Sequence, residues 1–409
     1  MSNTSFPKEK IKILLLENVH PVTVKMLHDE GFTAVDVHKA AMSDSELMHV
    51  IDKYHVIGIR SKTHITRRHI EKAGKLMCIG AFCIGTNQID LEAAMQQGIT
   101  VFNSPFSNTR SVAEMVIGLS IMLMRKIPEK NAAAHLGQWL KESKGCYEVR
   151  GKTIGIIGYG RIGSQVSVMA ESLGMQVLFY DVVPTLSLGN ARRAKSIDEL
   201  LGKSDMVTLH VPESSSTKNM VNESFIRKMK TGAVLINLAR GTVVDLSSLK
   251  KALESKKLNG AALDVFPAEP ESTADKFVST LQGLPNVILT PHIGGSTMEA
   301  QENIGADVAS KIISLIDTGS TTGSLTVPEL SLPVQTHTHR ILHIHRNVPG
   351  VLSQINTALS RLNVNILGQY LKTNEKIGYV VLDIDKKTSA HALAELKKVK
   401  ETIKVRSLY

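Results

Sequence analysis

The stretch that most constrains this chain is 153–170, where the apolar run Thr153-Ile-Gly-Ile-Ile157 breaks into Gly158-Tyr-Gly160-Arg-Ile-Gly163 and then into a helical pattern. Each glycine has its own reason. Gly158 permits a tight turn, Gly160 lets the backbone approach a pyrophosphate, and Gly163 lets helix and strand pack closely. The anion then sits at the helix N-terminus, beside Arg161 and Ile162. The next strand, Val177-Leu-Phe-Tyr180, ends on Asp181, near the distance from which a carboxylate accepts from both ribose hydroxyls. That carboxylate repels a 2′-phosphate, so these residues predict NAD rather than NADP.

The strand rhythm around this motif sets the architecture. Apolar runs at 153–158, 176–180, 206–211, 233–238, 260–265 and 287–290, spaced by helical segments, predict a six-stranded Rossmann sheet. Earlier runs at 11–16, 34–37, 56–59, 76–79 and 99–102 predict a second parallel α/β layer of flavodoxin-like kind. Ser111 and Glu114 read as a capping box opening a helix over 111–124. After Gly295 a helix is expected over 296–317, followed by a Gly, Ser, Thr and Pro-rich flexible linker over 318–338. The remainder reads strand, helix, strand, strand, helix, strand, the ferredoxin-like βαββαβ order. The expected domains are a discontinuous substrate-binding domain (1–104 and 296–330), a dinucleotide-binding domain (105–295) and a tail domain (338–409).

A length of 409 residues, with 43% hydrophobic and 21% charged, is that of an ordinary multidomain globular chain. No uninterrupted apolar run is long enough for a membrane span, and residues 1–10 lack a secretory pattern, so a cytoplasmic location is expected. The net charge of +10 is dispersed, without the aromatic and basic interleaving that nucleic acid requires. Cys78, Cys83 and Cys146 read as free thiols.

The later strands of the Rossmann sheet end in residues suited to chemistry, at the carboxyl edge where open α/β sheets bind ligands. One ends in Leu238-Ala239-Arg240, the next in Asp264-Val-Phe-Pro-Ala-Glu269, and the last leads into His292-Ile-Gly294-Gly295. Leu238, Ala239, Arg240, Asp264, His292, Gly294 and Gly295 would then border the cofactor. His292 can exchange a proton with a carbonyl or hydroxyl oxygen as hydride moves. Glu269 can orient the imidazole and raise its pKa, and Arg240 offers a planar fork to a carboxylate.

The strings Asn-Leu-Ala-Arg-Gly-Thr-Val-Val-Asp, Asp-Val-Phe-Pro-Ala-Glu-Pro and Thr-Pro-His-Ile-Gly-Gly resemble the signatures of the D-2-hydroxyacid dehydrogenases. The resemblance implies catalytic roles for Arg240, Glu269 and His292. Ile59-Arg60-Ser61-Lys62-Thr63, Phe82-Cys-Ile-Gly85-Thr-Asn87 and Ser107-Asn108-Thr109-Arg110 are similar to the phosphoglycerate dehydrogenases. That similarity implies oxidation of 3-phospho-D-glycerate to 3-phosphohydroxypyruvate, at the entry to L-serine synthesis. Arg60, Ser61 and Asn108 would contact substrate with Arg240 and His292, with Lys62 and Lys141 near the phosphate and Lys39 a further candidate. His343-Ile-His345-Arg-Asn347 and Asn363-Val-Asn365 resemble an ACT domain. By that resemblance His345, Asn347 and Asn365 hold L-serine as a feedback effector. Sheet edge and face would be open for pairing, and a second dimer contact through the Rossmann domain would make a homotetramer. The His-x-His pair lacks a third ligand at natural spacing, so no metal is expected. Two rivals stay open: a glyoxylate or hydroxypyruvate reductase, and a non-enzymatic NAD-sensing corepressor of the same fold.

Overall fold

The computed structural model describes residues 7–270, 275–334, 338–387 and 389–408. Its chain divides into two compact units, one formed by 1–107 with 301–409 and the other by 108–300.

The first unit opens with β1 (Ile13–Leu15), β2 (Val35–Val37), β3 (Val56–Ile59), β4 (Cys78–Ala81) and β5 (Thr100–Phe102). They pair in parallel in the order β2-β1-β3-β4-β5, the flavodoxin-like arrangement. Parallel sheets need cover on both faces, which is why β1, β3 and β4 read as unbroken apolar runs. Leu47, Ile51, Ile70 and Ala93 cover one face. Phe32, with Ile304, Val308 and Ile312 of the long helix Met298–Thr318, covers the other.

The second unit carries β6 (Thr153–Ile157), β7 (Gln176–Tyr180), β8 (Arg192–Arg193), β9 (Met206–Leu209), β10 (Ala233–Asn237), β11 (Leu258–Leu263) and β12 (Val287–Leu289). Their order is β12-β11-β10-β9-β6-β7-β8, so the strand order reverses between β6 and β9. The seventh strand, β8, escaped the sequence reading because two exposed arginines carry no apolar signal. The capping box at Ser111 is also corrected. The helix starts at Thr109, with Asn108 at its N-cap. Glu114 pairs with Arg110 at 2.6 Å, and the Ser111 hydroxyl shares a hydrogen bond with Thr297 at 2.8 Å. An i,i+4 charge partner and a neighbouring hydroxyl have displaced the local cap.

The tail forms an antiparallel sheet from β13 (His339–Arg346), β14 (Ile366–Thr373), β15 (Ile377–Ile384) and β16 (Thr402–Leu408), in the order β14-β15-β13-β16. Helices Val351–Arg361 and Ser389–Leu396 pack through Ile355, Leu359 and Leu396 onto Ile341, Val380 and Leu382. The opposite face does not stay open, contrary to expectation. Leu342, Ile344, Tyr379 and Val381 are covered by Val327, Leu332 and Met95. What stays exposed is the β14 edge, with Leu367 and Leu371 at 56% and 43% exposure.

This packing also overturns the flexible linker over 318–334; residues 335–337 of that expectation lie outside the described residues. Thr318, Ser320, Thr321, Ser324 and Thr326 are all buried. Their hydroxyls bond nearby backbone, as in Thr321 to the Pro328 carbonyl at 2.7 Å and Thr326 to the Ile99 carbonyl at 2.8 Å. Small polar residues that satisfy their own backbone look like loop composition yet pack as core. The Arg340 guanidinium closes the arrangement. It meets the Asp383 carboxylate through two bonds, of 2.6 and 2.9 Å, and donates from Nη1 to the carbonyls of Thr318 and Pro333. Both side chains are 3% exposed. Removing one partner of such a pair strands a buried charge and costs roughly 3–5 kcal/mol. Asp383→Ala is therefore expected to lower the urea midpoint of the tail's unfolding; an unchanged midpoint would show that the pair does not hold the segment.

Candidate active site

The glycine turn is shaped as its sequence requires. Gly158 has φ +94°, and a Cβ there would stand 2.5 Å from the His210 carbonyl oxygen. A Cβ on Gly163 would collide with the Gly158 carbonyl, whereas one on Gly160 would enter open space. Helix Arg161–Ser172 begins at Gly160 with no side-chain cap, and a helix N-terminus of this kind attracts an anion. Asp181 closes the cradle, accepting from Tyr159 N–H at 2.6 Å and Val183 N–H at 2.9 Å. A carboxylate has about four acceptor positions, so two remain for a ribose diol. Open space at Gly160, uncapped N–H groups and a fixed carboxylate suit a dinucleotide.

His210 was not singled out from sequence. It follows β9, on the other side of the strand-order reversal, and burial lowers its imidazole to about 4. The signal that would have found it is positional, since the strand beyond β6 must end beside the glycine turn.

Three strand ends assemble the reactive groups. Beyond β10, the Asn237 side chain accepts from Ala239 N–H and donates to the Arg240 carbonyl, both at 3.0 Å, and so fixes the turn from which Arg240 emerges. Gly241 is needed because any Cβ would strike the Phe266 backbone. Beyond β11 the Glu269 carboxylate faces two ways. One oxygen accepts from Phe266 N–H at 3.0 Å and the other meets His292 Nδ1 at 2.8 Å. A carboxylate can only accept, so Nδ1 carries the hydrogen and Nε2 is left for a ligand.

His292 itself lies in the left-handed region, φ +54°, an unfavourable place for a side chain with a Cβ. Asp264 holds it there. Its carboxylate, on a residue only 1% exposed, accepts from Thr290 Oγ1 at 2.6 Å, Ile293 N–H at 2.8 Å and Gly294 N–H at 2.7 Å. Its carbonyl accepts from His292 N–H at 2.8 Å. Asp264 was read as a cofactor contact; its carboxylate is engaged by this turn.

The electrostatics follow from these contacts. The hydrogen bond to Glu269 raises the His292 pKa above its ordinary 6.5, against the opposing effect of burial, and the charges of Glu269 and Asp264 add to the rise. Burial pushes Glu269 upward, but bonds from His292 and Phe266, with the charges of His292 and Arg240, bring it below its ordinary 4.5. Arg240 thus acts on both partners electrostatically, while its Nη1 bonds the Ala239 carbonyl at 2.7 Å.

The other expected site residues are placed as follows. Asn108 is buried against Gly295, where a Cβ would collide with its amide, and its Oδ1 lacks a partner among the described residues. Arg60, Ser61 and Lys62 follow β3 in the first unit, and Lys39 and Lys141 are exposed. In the tail, His345 is 2% exposed, with Nδ1 on the Arg346 carbonyl and Nε2 unpartnered among the described residues. The exposed Asn347 amide donates to the Asn374 carbonyl at 2.7 Å, and Asn365 is exposed just before β14.

Residues 117–294 match the family of D-isomer specific 2-hydroxyacid dehydrogenases, NAD binding domain, and 341–404 match the ACT domain like that of the AHAS small subunit. The chain is 53% identical over 408 residues to a D-3-phosphoglycerate dehydrogenase of Haemophilus influenzae, and 52% identical over 411 residues to one of Escherichia coli, each covering 100% of both chains. Among solved structures, a D-lactate dehydrogenase of Aquifex aeolicus complexed with NAD and lactic acid is 29% identical, with TM-score 0.67, over 78% of this chain and 100% of the other. Fold and site thus define an NAD-dependent D-2-hydroxyacid dehydrogenase. Within that class, the chain belongs to the D-3-phosphoglycerate dehydrogenase family.

Glu269→Gln removes the charge that raises the His292 pKa. Were His292 the acid–base group, it would carry a proton in the reductive direction, so the loss of rate on raising pH should begin at lower pH in the variant. In the oxidative direction the rise in rate with pH should likewise begin at lower pH. pH profiles that superimpose on the parent's would remove Glu269 from this role.

Proposed function

We propose that this chain oxidises 3-phospho-D-glycerate to 3-phosphohydroxypyruvate, with His292 as the acid–base group, Glu269 as its orienting partner and Arg240 as the anchor of the substrate carboxylate. NAD, when bound, supplies the hydride acceptor. The observation carrying the reading is the Glu269–His292 contact of 2.8 Å, set on the same sheet edge as the glycine cradle and under the charge of Arg240. As the C–H bond at C2 gives up its hydride, the hydroxyl proton passes to His292 Nε2, and the reverse holds in reduction. Arg240 orients the carboxylate and stabilises charge on the adjacent oxygen. Asn108 offers an unpartnered Oδ1 to a substrate hydroxyl, while Arg60, Ser61 and Lys62 take the phosphate. His292→Ala should reduce turnover of NADH with 3-phosphohydroxypyruvate by about 100-fold or more while NADH binding persists. Turnover within a few-fold of the parent would refute the assignment, and no turnover in the parent itself would favour the sensor reading.

The tail supports an amino-acid effector, for which L-serine is our reading. The buried Nε2 of His345 is an unpaired acceptor suited to an ammonium group, and Asn347 and Asn365 supply amides. The exposed β14 edge, with Leu367 and Leu371, suits pairing with a second tail. Exposed Leu136, Trp139 and Leu140 in the other unit suit a second contact, giving a tetramer. No helix among the described residues is long and apolar enough to cross a membrane. The free thiols Cys78, Cys83 and Cys146 suit the reducing cytoplasm, where we place the reaction. L-serine should inhibit the full chain, and Asn365→Ala should raise the serine concentration required by about tenfold, for some 1.4 kcal/mol of lost hydrogen bonding. Absence of serine binding by calorimetry would reduce the tail to an assembly element.

A further inference from the structure

The loop at the end of β3 has its main chain held by side chains from two other strand ends. Glu17, directly after Leu16 at the end of the β1 segment, is only 8% exposed and adopts φ +63°, and Asn18 beside it has φ +52°. Asn tolerates the left-handed region, but a glutamate there costs on the order of 1 kcal/mol, so something must over-determine this turn. The Glu17 carboxylate does. Oε2 accepts from Ser61 N–H at 3.0 Å and Lys62 N–H at 2.9 Å, and Oε1 accepts from Thr63 N–H at 2.8 Å. Glu17 N–H and Asn18 N–H reach the carbonyls of Ala40 and His38, which ties the turn to the segment after β2. From the other side, Gln88 Nε2 and Cys83 Sγ both reach the Arg60 carbonyl.

Three successive main-chain N–H groups converging on one point form an anion-binding concavity, of the kind that commonly holds a phosphate. Here a side chain of the protein itself fills it. An external anion arriving at this loop therefore finds no free main-chain donors at Ser61, Lys62 or Thr63. Within this loop it is left to the side chains of Arg60, Ser61 and Lys62. The fixed negative charge behind the loop also offsets repulsion between the two neighbouring cations when the site is empty.

We propose that Glu17 is a positioning residue for substrate selection. Its buried carboxylate occupies the N–H groups of Ser61, Lys62 and Thr63, so that at this loop the phosphate of a three-carbon 2-oxo or 2-hydroxy acid is read by the Arg60, Ser61 and Lys62 side chains rather than by main-chain donors. This rests on the reading of Arg60, Ser61 and Lys62 as the phosphate-contacting residues. Glu17 touches no substrate. It sets the direction in which the loop projects its cations, and a misplacement of about 1 Å at such a site is enough to change kinetics strongly.

The test is Glu17→Gln in the full chain, which keeps the shape but replaces one accepting oxygen with a donor facing N–H groups. KM for 3-phosphohydroxypyruvate should rise by about tenfold, with kcat within about twofold. KM for unphosphorylated hydroxypyruvate and the Kd for NADH should hardly move, so the preference for the phosphorylated substrate falls. A purely structural role would weaken both substrates alike, and that result overturns the proposal, as does an unchanged preference. Arg60→Ala and Lys62→Ala are run in parallel. If both lower the preference while Glu17→Gln does not, the positioning role alone fails; if neither lowers it, the phosphate reading fails and the proposal with it. Should Glu17→Gln not fold, amide hydrogen exchange in the unmodified chain decides the matter. Ser61, Lys62 and Thr63 amides must exchange slowly despite their place in a loop, and exchange at unprotected rates overturns the proposal.

Discussion

The arrangement of reactive groups depends on one buried carboxylate. Asp264 ends β11, and the turn leaving β12 wraps around it through Thr290, Ile293 and Gly294. A carboxylate this deep is tolerable only because three donors satisfy it. The same bonds hold His292 in a left-handed conformation that its own Cβ disfavours. Strain at His292 and burial at Asp264 are thus two sides of one local structure, and each is stable only with the other. The consequence is functional, because the imposed backbone direction brings the imidazole to Glu269.

Glu269 then joins two strand ends, with one oxygen on Phe266 N–H and the other on His292 Nδ1. Both partners of the contact are partly exposed, so solvent screens the direct charge attraction, and the contact should be judged as geometry more than as stability. What it secures is the tautomer. With Nδ1 committed, Nε2 is the ring nitrogen left to gain or lose a proton, and a pKa above the ordinary value keeps the ring protonated to higher pH.

Much of this was legible in the sequence. Parallel strands buried on both faces announce themselves as apolar runs, and a glycine turn between a strand and a helix has few other uses. Arg240, Glu269 and His292 stand out in the sequence because each lies within six residues of the end of a strand. The failures are equally physical. Two arginines in β8 show no periodicity, and the Ser111 cap lost to the Arg110–Glu114 pair. The segment after Thr318 reads as a linker on its Gly, Ser, Thr and Pro content, yet its hydroxyls bond backbone inside the unit. Glu17 was invisible for a different reason, since its partners lie more than forty positions away and the contact is entirely to main-chain N–H groups.

The Asp264 turn and Glu269 together present a His292 imidazole of raised proton affinity. An NMR titration of the His292 ring in the unmodified chain tests it most directly. The account predicts a pKa above 6.5 and titration with the proton retained at Nδ1 when the ring is neutral. A pKa at or below 6.5, or a neutral ring protonated at Nε2, would contradict it.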